Sequence, residues 1–349
     1  MNDAIFIVTG AAGHLGSHVV RALLSRGKQV RALVLPNETC PDFIDINRHL
    51  LKEYKGNVCD PASIKQIFED SAPEGIIIIH CAGIVTITKK EDRRVYDVNV
   101  GGTANIINMC KRYPVKRLVY ISSVHAIPPL PRGQIMREVP SFDPDAVPGY
   151  YDKTKAIATQ LVLNAAKDGL NAVVVHPAGI IGPHGLPTGN MARLIAQYIR
   201  GKLPAAIHGG FDFVDVRDVA DGIIAAATKG KSGECYILSN RFIDLKEIFD
   251  ILAQAGALKK LKLYLPLWVA KAATPFTELY YRLARKTPLF TGNSLKIISG
   301  NGMYSHEKAS RELNYFTRSL KETLTDTALW MLHFQINGDS NPFYDFNKS

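Results

Sequence analysis

Apolar residues fall in short blocks separated by amphipathic stretches, beginning near the first residue. Ile5, Phe6, Ile7 and Val8 form a β-branched and aromatic run that predicts a strand. A glycine-punctuated turn follows, and residues 14–26 then carry helical periodicity. Residues 29–35 predict a second strand. Residues 61–70 predict a short helix with Asp60 as its N-cap. Ile76 to Ile79 are consecutive isoleucines, the pattern of a parallel strand covered on both faces. Residues 95–110 predict a helix, 117–122 a strand, 150–167 a helix and 171–176 a strand. Beyond Gly182 the alternation weakens, with helix expected over 191–200, strand over 211–216 and helix over 217–228. From Phe242 onward the pattern is mostly helical, interrupted at Pro266, Pro275 and Pro288.

Repeated βαβ units of this length predict an α/β fold, a doubly wound parallel sheet (Rossmann fold) with a smaller, mostly helical C-terminal lobe. The expected division is a nucleotide-binding domain over 1–182 with a returning segment near 205–240. Residues 183–204 and 241–349 would form a substrate-binding lobe. In such sheets ligands bind beyond the carboxyl ends of the strands. Gly10, Ala82, Ser123 and Pro177 all follow predicted strand ends, so they are expected to meet in one crevice.

The turn after the first strand reads Thr9-Gly10-Ala11-Ala12-Gly13-His14-Leu15-Gly16. A helix start offers unpaired N–H groups and a positive dipole end, where a pyrophosphate can sit. Gly10 permits the tight turn, Gly13 lets the backbone approach the phosphates, and Gly16 lets helix and strand pack closely. His14 and Leu15 contribute main-chain N–H groups at the same helix start.

A second set of residues points to carbonyl/alcohol redox chemistry. Tyr151 and Lys155 stand four apart on a predicted helix and share a face. Ser122 and Ser123 close the strand before it. Ser123 would hold a substrate oxygen and Tyr151 would give or take its proton, with the Lys155 ammonium favouring the phenolate. Moving a phenol from about 10 to about 7 needs roughly 4 kcal/mol. One positive charge at about 4 Å supplies that order at an effective dielectric of about 20. The same spacing occurs at Tyr198/Lys202 and Tyr304/Lys308, where solvated helix faces are the expected reading. Tyr150 is the rival for the proton-transfer role but lies off the Lys155 face.

The glycine turn, His80-Cys81-Ala82-Gly83, Asp97-Val98-Asn99-Val100-Gly101-Gly102-Thr103, Ser122-Ser123 and Tyr151-x-x-x-Lys155 together resemble the extended short-chain dehydrogenase/reductase family. The resemblance covers most of residues 4–240. Within the family it is greatest to the dihydroflavonol-reductase-like and 3-beta-hydroxysteroid-dehydrogenase-like branch and to the NAD-dependent epimerase/dehydratases. It implies Ser123, Tyr151 and Lys155 as catalytic residues, and Asn99 as a helix-bending residue in the proton relay. It implies that Ala82, Gly83, Pro177 and Ile180 line the nicotinamide half of a dinucleotide, and that Lys155 also bonds the nicotinamide ribose. Asn57 and Val58 would contact the adenine, although the family usually carries aspartate where Asn57 stands. Val34-Leu35-Pro36-Asn37 offers neither an acid for NAD nor an arginine for NADP, so the lean is slightly toward NADP. The resemblance also implies a homodimer formed through the helices at 95–110 and 150–167.

Composition narrows the picture. The net charge of +10 is spread without an arginine-rich tract, so nucleic acid is not an expected partner. The five cysteines lack a C-x-x-C pair and suit a reducing, cytoplasmic setting with no zinc site or disulfide frame. The first strand begins at about Ala4, which leaves no room for a signal peptide. His125 is expected to touch substrate. Asp218 is expected to cap a helix, and the dispersed histidines at 176, 184 and 208 argue against a metal. Residues 261–290 mix apolar, aromatic and basic side chains but are too short of apolar length to span a bilayer. The expected role is a lobe helix burying Trp268, with contact to an anionic membrane surface as the alternative. The favoured function is an NAD(P)-dependent oxidoreductase interconverting a secondary alcohol and a ketone, or an aldehyde and an alcohol, on a hydrophobic, steroid- or flavonoid-like substrate. The alternatives are a nucleotide-sugar epimerase/dehydratase with retained NAD, using Arg193, Arg200 and Arg217 for the diphosphate, and a non-catalytic dinucleotide sensor or membrane-surface scaffold.

Overall fold

The computed structural model describes residues 4–71, 75–86, 91–185, 189–256, 258–272, 295 and 298–336. The strands in chain order are β1 (Ile5–Thr9), β2 (Val30–Val34), β3 (Leu51–Lys55), β4 (Ile76–His80), β5 (Val115–Ile121), β6 (Ala172–Pro177), β7 (Gly179–Ile181), β8 (Ala206–Ile207), β9 (Gly210–Asp215), β10 (Cys235–Leu238), β11 (Arg241–Asp244) and β12 (Tyr264–Leu265). The helices are α1 (His14–Ser25), α2 (Pro61–Glu69), α3 (Arg93–Tyr96), α4 (Thr103–Arg112), α5 (Tyr150–Lys167), α6 (Asn190–Ile199), α7 (Val216–Lys229), α8 (Leu245–Ala255), α9 (Glu307–Leu313) and α10 (Leu320–Ile336). A shorter helical stretch spans 267–272.

The main sheet has seven strands among the described residues, in the order β10-β6-β5-β4-β1-β2-β3. Every pairing in it is parallel. The order reverses at β1, and the exits of β1 and β4 run side by side, Thr9 opposite His80. Ligands in open parallel sheets bind at such a reversal. Helices α1 and α7 pack together on one face, and α4 and α5 on the other. The four isoleucines of β4 are all buried. Each such side chain contributes about 1.5–3 kcal/mol by leaving water.

Three parts of the fold differ from expectation. The strand β3 has no counterpart in the sequence reading, because Leu51-Lys-Glu-Tyr-Lys55 alternates charges at a sheet edge, where solvent takes one side. In the returning segment only β10 joins the main sheet. β9 pairs instead with β7 and β11, and β8 with β12. The expected single helix over 95–110 is α3 and α4 joined by a π-helical turn, Asp97–Gly102. Its Asn99 side chain grips the main chain of Ile84.

Trp268 is 72% exposed rather than buried over a pocket. The rest of that segment beyond Lys271, including Arg282, Arg285 and Lys286, lies outside the described residues, apart from Ala272. No helix among the described residues is long and apolar enough to cross a membrane. Asp215, not Asp218, caps α7, accepting from Arg217 N at 2.8 Å. Asp218 is buried and paired with Arg318. Asp215 also bonds the Arg217 and Arg318 side chains, tying α7 to the entry of α10.

Asp212 on β9 is fully buried, with Oδ1 accepting Asn240 N and Oδ2 unpartnered. Burial pushes its carboxyl up to about 7. The sign follows: a carboxyl raised above its unfolded value favours the fold at low pH, and that contribution fades as pH rises through about 7. Asp212→Asn should therefore raise the melting temperature at pH 8 by about 2 °C or more, with a smaller rise at pH 5 and little change near pH 3. Equal melting temperatures at pH 8 would contradict an ionised, unpaired Asp212.

Candidate active site

The glycine turn forms a cradle at the exit of β1. Gly10 has φ +64°, a left-handed conformation suited to glycine, and a Cβ there would stand 2.9 Å from the Ala82 main chain. A Cβ on Gly16 would run into the Gly10 carbonyl. Gly13 is the N-cap of α1 and supplies no side-chain cap, and the first turn contains no acid. The first-turn N–H groups at His14, Leu15 and Gly16 thus have no intrahelical acceptor and face the turn. This arrangement fits a dinucleotide pyrophosphate. The His14 ring turns away, its Nε2 lying 3.1 Å from Pro183 O.

From Ala82 the site continues to the polar set without a break. A Cβ on Gly83 would stand 3.2 Å from Asn99 Oδ1 and 3.5 Å from Lys155 Nζ. Asn99 accepts from Ile84 N at 2.8 Å and donates to Ile84 O and Thr154 Oγ1. Its amide therefore brackets the loop after β4 against α5. Ser123 Oγ stands near enough to the Tyr151 phenol to favour its charged form and accepts His125 N at 3.2 Å. Ser122 instead bonds Thr159 Oγ1 at 2.6 Å, within the sheet–helix interface. Tyr151 is buried, whereas Tyr150 is half-buried near Glu91 and Asp92. Pro177 ends β6 and Ile180 lies on β7, both on the same rim.

The electrostatics depart from the expected phenolate. Burial pushes the Tyr151 phenol above its ordinary value, and the nearby Ser123 hydroxyl only partly offsets that. Lys155 is buried too, which draws its ammonium down to about 8. It donates to Ile121 O at 2.7 Å and lies 3.4 Å from Tyr120 Oη. At neutral pH the tyrosine is thus held as a proton donor beside a lysine poised near its midpoint.

His125 stacks on Phe211, ring centroids 5.6 Å apart at 8°, and stands edge-on to Tyr151 at 6.3 Å. Its Nδ1 lies 3.6 Å from Asp152 Oδ1. About a quarter of its side chain remains accessible, 27%. It therefore lines the space next to Tyr151. On the adenine side, Asn57 is exposed and its Oδ1 accepts Cys59 N, closing its own turn. Val58 is buried against Gly102.

Sequence reasoning missed four residues here. Glu38 curls back so that its carboxylate lies 3.4 Å from Leu35 N at the end of β2, and Lys55 donates to the Glu38 carbonyl. Both stand outside the window searched for a ribose-binding acid. His176 lies 2.9 Å from the Ser123 carbonyl through Nδ1, and Tyr120 touches Lys155. Arg217 is engaged by Asp215 and Asp326. The other tyrosine pairs are not solvated helix faces. Tyr198 is buried and donates to Lys259 O, and Tyr304 precedes α9 on a bridge to Met136. No metal-competent cluster of acids, cysteines and histidines occurs among the described residues.

Residues 6–239 match the NAD dependent epimerase/dehydratase family. The chain belongs to that family, within the extended short-chain dehydrogenases/reductases, and is an NAD(P)-dependent enzyme. It is 29% identical over 331 residues to sterol demethylase protein B of Methylococcus capsulatus, covering 93% of this chain and 97% of that one. It is 27% identical over 357 residues to the decarboxylating sterol-4-alpha-carboxylate 3-dehydrogenase of Saccharomyces cerevisiae, covering 94% and 98%. The crystal structure of gox2253 superposes with a TM-score of 0.79 at 28% identity, covering 97% of this chain and 99% of that one.

Gly13 has φ −72°, which any residue tolerates, and a Cβ there would stand 3.2 Å from Gly10 O. Gly13→Ala should keep the fold and weaken dinucleotide binding about tenfold, the effect of losing close backbone approach to the phosphates. NADH fluorescence titration checks this, and unchanged affinity would contradict the cradle.

Proposed function

We propose that the chain is an oxidoreductase that interconverts a ketone and a secondary alcohol on a hydrophobic, polycyclic substrate of sterol-like shape. The observation that carries this reading is the buried Tyr151 phenol beside Ser123, with Lys155 Nζ within reach of Gly83 on the far side. A bound dinucleotide supplies or takes the hydride. Ser123 and Tyr151 would both bond the substrate oxygen. In the reducing direction Tyr151 gives that oxygen its proton as the carbonyl carbon gains the hydride, so ketone becomes alcohol. The raised phenol suits this direction, because it stays protonated across neutral pH. In the oxidising direction the proton returns to Tyr151, and Lys155 favours the phenolate that precedes it.

An apolar substrate is supported by Phe211 and Phe213 beside His125 and by the two sterol-related relatives. The ribose end supports NAD over NADP. The Glu38 carboxylate near the end of β2 suits ribose hydroxyls and opposes a 2′-phosphate, which reverses the lean taken from the sequence.

Tyr151→Phe and Ser123→Ala should each lower turnover on a panel of keto- and hydroxysteroids by about 100-fold or more, the range of lost acid–base catalysis. NADH affinity should stay within a few-fold. Ser122→Ala should lower the melting temperature while keeping most of the activity. Full activity in Tyr151→Phe would refute the assignment. Direct titration should show NADH binding at least tenfold more tightly than NADPH, and the reverse order would contradict the role given to Glu38.

A further inference from the structure

Thr9, His80, Thr103 and Tyr120 are all fully or almost fully buried, and none belongs to the proton-transfer set. Hydrogen bonds join Thr9, His80 and Thr103 into one chain, and Tyr120 stands beside it. Ala82 N donates to Thr9 Oγ1 at 3.1 Å, and Thr9 Oγ1 lies 2.7 Å from His80 Nδ1. His80 Nε2 lies 3.2 Å from Thr103 Oγ1, which donates to Asn99 O at 2.7 Å. The Tyr120 hydroxyl stands close to the Thr103 side chain. Lys155 Nζ lies 3.4 Å from Tyr120 Oη and 5.0 Å from its ring centre.

Counting protons fixes every direction in this chain. Thr103 has one hydroxyl proton, and it goes to Asn99 O. His80 Nε2 must therefore donate to the Thr103 oxygen, which leaves that oxygen a lone pair on the side of the nearby Tyr120 hydroxyl. His80 then carries its proton on Nε2 and accepts at Nδ1 from Thr9. This is a neutral imidazole, as its burial demands, with its pKa pushed down to about 3. Lys155 Nζ donates to Tyr120 Oη, so the phenol's own proton is free to turn toward Thr103.

We propose that Tyr120 is a positioning residue for Lys155: its hydroxyl, oriented by Thr103, is the side-chain acceptor that holds the ammonium beside Gly83. The lysine is thereby placed by the same strand ends that shape the dinucleotide cradle. The chain starts at Ala82, against which Gly10 turns, and ends at the ammonium. The inference takes its importance from the role proposed for Lys155, but its test does not need the reaction.

The groups facing Lys155 are Tyr120 from β5, His80 and Cys81 at the exit of β4, His176 from β6 and Tyr151 one turn back on α5. At pH 7 these five are uncharged. Both histidines are held neutral by burial, the Cys81 thiol is pushed up to about 12, and both phenols are raised. The ammonium is therefore sensitive to loss of an acceptor, which disfavours its charged form and lowers its pKa.

The test is an NMR pH titration of the full chain carrying lysine labelled with carbon-13 at Cε, with the Lys155 signal assigned by its loss in Lys155→Met. The wild type should titrate near 8. Tyr120→Phe keeps the ring over the ammonium and removes only the hydroxyl, and should lower the midpoint by about half a unit or more. Thr103→Val should shift it in the same direction, and Thr103→Ser, which restores the hydroxyl, should return it to the wild-type value. A wild-type midpoint in either Tyr120→Phe or Thr103→Val overturns the proposal. If Tyr120→Phe does not fold, the Thr103 pair decides. Loss of steroid turnover without a change in the lysine midpoint would likewise tell against Tyr120, whereas a shifted midpoint in a protein that turns over no ketone would remove the reaction assignment and leave the positioning role standing.

Discussion

The site depends on two strand exits held against each other by main-chain contact. Thr9 on β1 lies opposite His80 on β4, and the residues that follow, Gly10 and Ala82, meet with no room for a side chain at Gly10. A parallel sheet whose order reverses at this point opens a crevice there. Everything chemical is placed relative to that contact. The start of α1 presents free N–H groups on one side of it, and Gly83, Lys155, Tyr151 and Ser123 follow on the other.

Burial then sets the chemistry. In water a phenol and an ammonium both titrate near 10. Inside this crevice desolvation opposes both charges, so the phenol is raised and the ammonium lowered to about 8. Of the two, the lysine stands close to its midpoint near neutral pH, while the phenol keeps its proton. Neutral surroundings preserve this condition. His80 and His176 are uncharged because they are buried, and each nevertheless makes a hydrogen bond that fixes a neighbour, His80 to Thr9 and Thr103 and His176 to the Ser123 carbonyl.

Most of the scaffold was legible because a doubly wound sheet writes its period into the chain. The isoleucines of β4 and the turn at Gly10 each have one physical reading. The edge strand β3 escaped because half-solvated Leu51–Lys55 carries no apolar block. The π-helical turn at Asn99 was implied only by resemblance, since its cause is a side chain reaching to Ile84, far along the chain. In the site, spacing singled out Tyr151 and Lys155, and Ser123 was the serine expected beside them. The structure adds what no spacing shows, that the Ser122 hydroxyl is turned to Thr159 Oγ1. Glu38 and Tyr120 were invisible for a related reason. One acts by folding back three residues, the other from inside an apolar strand.

The central claim is that hydride passes between a dinucleotide and a carbon whose oxygen is held by Ser123 and Tyr151. The most direct measurement follows the isotope itself. NADH deuterated at both C4 positions would be incubated with the enzyme and a keto-steroid, and the isolated alcohol analysed by mass spectrometry and NMR. The account predicts one deuterium per molecule, on the carbinol carbon. NADH that binds but leaves its label in the cofactor, with no deuterated alcohol from any ketone tested, would contradict it.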